Sequence, residues 1–254
     1  MILVIDIGNT DTVLGVYSGP GLKVHWRVPT FKERSIGEYS AFLRELLFAA
    51  GLEAVSFSDV AACSVVPGVN GAFREAVKEL TGRTMRFVGE EIPPPMPVIT
   101  DNPSEVGADR ITNAVAAYSI YRSPVIIVDF GTAITVDYIT GKGEYAGGAI
   151  APGIGVSVEA LTKRASKLPG VEVARPARVV GKNTVESMRS GIFYGFTGLV
   201  DGIIKKMIAE AGGEPKVIAT GGNSGLLKGE SEFIKETDEL LTLKGLKILS
   251  EGTF

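Results

Sequence analysis

Asp6-Ile7-Gly8-Asn9-Thr10 and Asp129-Phe130-Gly131-Thr132-Ala133 are one small device written twice: an aspartate at the end of an apolar run, then glycine and short hydroxyl or amide residues. Leu3 to Ile5 and Val125 to Val128 read as buried strands, and Thr12 to Tyr17 and Thr135 to Ile139 alternate as the return arms of hairpins. Each turn then presents a carboxylate and several N–H groups to one point. Glycine lets a backbone approach a ligand, successive turn N–H groups form a concavity for anions, and an aspartate holds Mg²⁺ directly or through water. Two such turns facing each other would clamp the phosphates and metal of a nucleotide. Asp-x-Gly after a strand is also an ordinary hairpin signal in proteins that bind nothing. The repetition favours the clamp: the copies begin 129 − 6 = 123 residues apart, about half of a 254-residue chain, where two similar halves would place them.

Composition excludes several classes. With 45% hydrophobic residues over 254, the chain can bury one large core or two ordinary domains. A net charge of −3, with scattered lysines and arginines, gives no electrostatic reason to expect nucleic acid or an anionic membrane as partner. Lys205-Lys206 reads as the solvated face of an amphipathic helical stretch. Cys63 is the only cysteine, so disulfides within the chain and thiolate zinc sites are excluded; beside Val60 and Val65 it reads as a small core residue. No apolar run approaches the ~20 residues that cross a bilayer, and the expected setting is cytoplasmic and soluble.

Along the first half, Ile2 to Ile5, Thr12 to Val16 and Leu22 to Pro29 form a meander, and Ile36 to Ala50 has helical spacing. Asp59 to Val65 is a strand, Val69 to Leu80 a helix and Thr84 to Val88 a short strand, so this half is a mixed sheet with helices against it. Ile92-Pro93-Pro94-Pro95-Met96-Pro97 forces an extended segment. After Asn102-Pro103, Gly107-Ala108-Asp109-Arg110-Ile111-Thr112-Asn113 opens a helix that runs through Tyr118. Asp109 thus sits near a helix N-terminus, where the macrodipole favours the ionised carboxylate and Asn113, one turn on, can hydrogen-bond it. The plainer alternative is that Asp109 only stabilises the helix start and pairs with Arg110. The second half repeats the order: Val125 to Asp129, Ala133 to Tyr138, Glu144 to Ala151, then a helix from about Gly155 to Lys163.

Gly147-Gly148, Gly153 and Gly155 make the strand-to-helix passage tight and close to another backbone or a ligand. Neither glycine fingerprint of the common nucleotide folds is present: Val158 stands where a dinucleotide site needs its third glycine, and Gly181-Lys182 is followed by Asn183. Lys216 to Thr220 is a short strand ending in Gly221-Gly222, where an adenine could lie on exposed backbone. His25 is the only histidine and no Gly-x-Ser-x-Gly elbow exists, which argues against a histidine metal site and a serine hydrolase.

The two aspartate turns, Gly107-Ala108-Asp109-Arg110 between them and Val217-Ile218-Ala219-Thr220-Gly221-Gly222 near the end resemble a type III pantothenate kinase, within the actin-like ATPase and sugar kinase superfamily. More specific are Gly147-Gly148-Ala149-Ile150-Ala151-Pro152-Gly153 and the run Lys182-Asn183-Thr184-Val185-Glu186-Ser187-Met188-Arg189-Ser190-Gly191. The resemblance implies an α/β fold of two similar ribonuclease H-like domains, 1–115 and 116–254, each a mixed sheet with flanking helices, the second carrying a homodimer interface. It implies ATP-dependent phosphorylation of pantothenate to 4′-phosphopantothenate, the first step of coenzyme A synthesis. In that family pattern Asp6, Ile7, Gly8, Asn9, Thr10, Asp11, Thr12 and Val13 would hold the ATP phosphates and Mg²⁺, and Thr132 would touch nucleotide. Gly107, Ala108, Asp109, Arg110 and Thr184 would hold pantothenate, Asp109 as proton acceptor, in a site shared by the two subunits. Asp129 would bind a monovalent cation, K⁺ or NH₄⁺. A kinase for another hydroxylated acid, or a non-catalytic nucleotide-binding regulator of the same fold, are the alternatives.

Overall fold

The computed structural model describes residues 1–52 and 57–254. The alternation of the N-terminal segment produces an antiparallel meander of β1 (Ile2–Ile7), β2 (Asp11–Ser18) and β3 (Gly21–Pro29). Parallel strands β4 (Asp59–Ser64) and β5 (Arg86–Phe87) extend it to the order β3-β2-β1-β4-β5. Parallel pairing needs crossovers, supplied here by α1 (Ile36–Ala49) and α2 (Pro67–Thr81). A capping box opens α1: Glu38 N donates to Ser35 Oγ and Ser35 N to the Glu38 carboxylate. Proline in the first turn opens α2, and Gly82 in the left-handed conformation closes it. Leu3, Ile5 and Ile7, alternate residues of β1, bury one face of the sheet against Tyr39, Leu43 and Phe73 of these helices.

The other face is covered by a helix that was not read from the sequence, α6 (Leu241–Glu251), which packs on β1 and β4. Its Leu243 occupies the space left by Gly15 on β2, where a Cβ would come within 2.9 Å of that leucine. At Gly245 it meets α3 (Ala108–Tyr121): a Cβ there would lie 2.1 Å from the Thr112 carbonyl oxygen. Thr242 Oγ1 also donates to Asn113 Oδ1 at 2.8 Å, within the buried contact of the two helices.

The first compact unit therefore comprises 1–97, 102–119 and the C-terminal 241–254; the second comprises 98–101 and 120–240. The expected second domain, 116–254, takes in the segment that forms this helix, whereas Leu243, Leu246 and Leu249 of the helix are buried and belong to the first unit.

In the second unit β6 (Val125–Phe130), β7 (Ala133–Ile139) and β8 (Tyr145–Pro152) repeat the meander, and β9 (Lys216–Thr220) and β10 (Glu236–Thr237) add in parallel. The order β10-β9-β6-β7-β8 is that of the first sheet, strand for strand. Ile126, Val128 and Phe130 pack against α4 (Ile154–Arg164) and the 28-residue α5 (Thr184–Ala211).

Candidate active site

Asp6 and Asp129 occupy the same place in the two meanders, the fifth residue of the six-residue strands β1 and β6. Asp6 lies in register with Val13 on β2 and Cys63 on β4; Asp129 with Thr135 on β7 and Thr220 on β9. Both carboxylates are partly exposed, and the turn residues beyond them, Asn9, Thr10, Gly131 and Thr132, are exposed. The turns differ in length. The first closes with Gly8 N donating to Asp11 O at 3.0 Å, the second with Gly131 N donating to Ala133 O at 3.1 Å.

The first turn is braced by a residue that local patterning did not single out. Thr30, at the end of the meander, donates from its N to Thr10 O at 2.8 Å and from Oγ1 to Gly8 O at 2.7 Å, and its hydroxyl lies 2.9 Å from Thr12 Oγ1. Asp11 pairs with Arg27 at 3.5 Å. Ile7, Thr12 and Val13 have buried side chains, so of the expected nucleotide residues 6–13 these three offer a ligand only their main chain.

Asp109 stands in the first turn of α3, as the helix-start signal predicted, with Arg110 N donating to its Oδ1 at 2.8 Å. Glycine at 107 leaves the space this carboxylate occupies, since a Cβ there would fall 2.5 Å from the same oxygen. The expected partner Asn113 points into the helix contact and accepts from Thr242. Asp6 meets the buried thiol of Cys63. Its Sγ donates to Asp6 Oδ1 at 3.3 Å, and the nearby Thr112 hydroxyl donates to Ala108 O at 2.6 Å. Burial pushes the thiol's pKa well up, and the charges of Asp6 and then Asp109 push it further, so Cys63 stays protonated as a donor. The core position expected for Cys63 is correct, with a polar function added to it.

In the second unit, Gly221 is pressed against the Asp129 turn: its φ is +87°, and a Cβ would lie 2.5 Å from Asp129 Oδ1. Gly153 N donates to Thr132 O at 3.1 Å, which is the close backbone approach that the glycines before α4 implied. Thr184 begins α5 behind the cap of Asn183, whose side chain accepts from Glu186 N at 2.9 Å. It lines a cavity of about 690 Å³ between α4 and α5, whose walls include Leu161, Leu168, Met188, Ile192 and Phe196.

These features fit a nucleotide and its metal. Among the described residues no cluster of three or more His, Cys, Asp or Glu side chains could cage a metal ion. A single carboxylate beside an anion-binding turn suits a divalent ion that takes its remaining ligands from phosphate and water. No helix among the described residues is long and apolar enough to cross a membrane.

The solved activator of the 2-hydroxyisocaproyl-CoA dehydratase from Clostridium difficile, with bound ADPNP, is 12% identical and matches 98% of this chain and 93% of its own with a TM-score of 0.56, a likeness of fold alone. Two mixed sheets with flanking helices place the chain in the actin-like ATPase and sugar kinase fold. A protein of Anaeromyxobacter sp. (strain K) named type III pantothenate kinase is 51% identical over 251 residues, 99% of each chain. One of the same name from Moorella thermoacetica is 49% identical over 251 residues, again 99% of each. The family model for type III pantothenate kinase matches residues 2–206, and with relatives this similar over their whole length the chain belongs to the type III pantothenate kinase family.

Proposed function

We propose that this protein transfers the terminal phosphoryl group of ATP to the hydroxyl of pantothenate, giving 4′-phosphopantothenate and ADP at the first step of coenzyme A synthesis. The observation that supports the mechanism is that the first unit carries two carboxylates set for it, Asp6 at the end of β1 before its turn and Asp109 in the first turn of α3. Phosphoryl transfer asks a protein for positioning and charge neutralisation, with a carboxylate near the attacking hydroxyl.

In this reading Gly8, Asn9 and Thr10 offer turn N–H groups and side chains to the phosphates, and Asp6 holds the divalent ion, which neutralises phosphate charge when bound. Gly107, Ala108 and Arg110 position pantothenate, and Asp109 accepts the hydroxyl proton as the new O–P bond forms and the bond to the ADP oxygen breaks. Thr132 touches nucleotide. Asp129 would hold a monovalent cation, K⁺ or NH₄⁺.

The active unit is a homodimer joined through the C-terminal half, with Thr184 of one subunit completing the pantothenate site of the other. What supports this is apolar surface: Ile150, Val179 and Val180 are 65%, 63% and 79% exposed, and the cavity wall beside Thr184 is apolar.

The test is to incubate the protein with Mg-ATP, pantothenate and a panel of other small hydroxy acids and to weigh the products. A gain of one phosphoryl group by pantothenate is expected, faster in K⁺ or NH₄⁺ than in Na⁺ at matched ionic strength. Phosphorylation of another acid in preference, or of none by folded protein, would overturn the assignment; equal rates in the three salts would remove the cation from Asp129.

A further inference from the structure

We propose that Cys63 is a positioning residue of the phosphate turn, its thiol fixing the rotation of the Asp6 carboxylate so that the second oxygen is presented to the metal-nucleotide. The inference rests on the assignment of Asp6 to the metal-phosphate site and goes one residue deeper. Cys63 is held opposite Asp6 by the parallel register of β1 and β4, so the two side chains stand on the same face of the sheet. The thiol is wholly buried, and its hydrogen goes to Asp6 Oδ1.

The choice of donor matters chemically. A carboxylate that must ligate a hard cation loses basicity when a strong donor binds one oxygen, because the shared proton withdraws charge. A thiol is a weak donor, so it can orient Asp6 while withdrawing little. Cys63 touches neither reacting atom, and its effect passes through Asp6.

Because the chain has a single cysteine, its S–H stretching band in the infrared belongs to this one group. The band of the native protein is expected at the lowered frequency of a hydrogen-bonded thiol and should move when Mg-ADP is added, but not when ADP is added with EDTA. A band at the free-thiol frequency that ignores Mg-ADP would overturn the proposal without any variant being made.

Mutation supplies the second arm. Cys63→Ser keeps a donor, whereas Cys63→Val donates nothing, suits a strand and is larger by about one methyl group. Mg-ADP affinity, measured by calorimetry, should fall on the order of 10-fold in Cys63→Val and by much less in Cys63→Ser, as expected for a lost hydrogen bond to a charged group. Steady-state rates should show a raised KM for Mg-ATP with kcat reduced less, and an unchanged KM for pantothenate. Native affinity in Cys63→Val, or equal losses in both variants, would make Cys63 packing only. Asp6→Asn separates the two ideas: if it too binds Mg-ADP normally, the site assignment fails, whereas if it binds weakly while Cys63→Val binds normally, only the thiol's role fails.

Discussion

Replacing Asp109 with asparagine retains the side chain's shape and an oxygen to accept from Arg110 N, but removes the proton acceptor. The kcat should therefore fall on the order of 10²-fold or more while nucleotide binding stays nearly native, since a general base typically supplies 10² to 10⁴. Normal turnover by Asp109→Asn would leave the residue as a helix cap. Gly107→Ala should imitate this loss, because its new Cβ claims the position of Asp109 Oδ1. Its melting temperature is expected within a few degrees of native, and a native kcat would show that the carboxylate finds another productive rotamer. The positions of Asp6, Asp109 and Asp129 in their elements were legible because local neighbours announce them: a strand before and a glycine after Asp6 and Asp129, and a helix-start signal around Asp109. Thr30 and Cys63 were not. Their contacts reach back 22 and 57 residues to the first turn, and strand register sets them, which no local window contains.

At the scale of elements, the first aspartate turn is braced from the end of the meander by Thr30. Thr30→Val removes both hydroxyl contacts but keeps the β-branched shape and the backbone bond to Thr10. A hydrogen bond contributes about 1 kcal/mol net, so KM for Mg-ATP should rise roughly 5-fold or more, with KM for pantothenate unchanged and Thr30→Ser near native. Equal kinetics in both variants would show that the turn holds itself.

The meanders and the first three helices announce themselves by period, and the structure agrees with them to within a few residues. The strand expected over 84–88 shortens to two residues, and β10 is equally short, too brief for alternation to register. Helix α5 was legible only near Lys205-Lys206. Gly191, Gly195, Gly198 and Gly202 interrupt it, each costing about 1 kcal/mol of helix propensity, while buried residues such as Met188, Phe193 and Val200 compensate through packing. The duplication itself was legible, because a turn motif recurring at half the chain length marks both sheets at the same strand.

Across the molecule, the C-terminal helix is fastened by charge as well as by leucines. Burial raises the Asp59 pKa, but hydrogen bonds from Arg86 and Ser250 outweigh it and hold the carboxyl below its usual range. A depressed folded pKa contributes stability above the unfolded value, about 3.9, and that contribution disappears as pH falls through the folded value. The stability gap between wild type and Asp59→Asn should thus be largest above about pH 5 and shrink below about pH 4 in denaturant titrations. A gap independent of pH would show that Asp59 acts through shape alone.

The shared-site dimer makes its own prediction. Asp109→Asn and Thr184→Arg subunits, each inactive alone, should regain on the order of a quarter of wild-type activity when refolded together at equal amounts, because half the dimers are mixed and each mixed dimer has one intact site. A verified heterodimer as inactive as its parents, or a fully active monomer, would refute sharing.

The return of α6 to β1 and β4 also imposes a schedule on biosynthesis. Strand β4 ends at Ser64 and α6 begins at Leu241, 241 − 64 = 177 residues later. At roughly 5–20 residues per second, a ribosome leaves that sheet face bare for roughly 9–35 s. During this interval the nascent chain leaves the β1 and β4 face that α6 will cover open to whatever binds unfinished sheets. The first unit to be translated is thus the last to be completed, and a chain truncated before Leu241 should emerge as a chaperone client even though both aspartate turns have already been made.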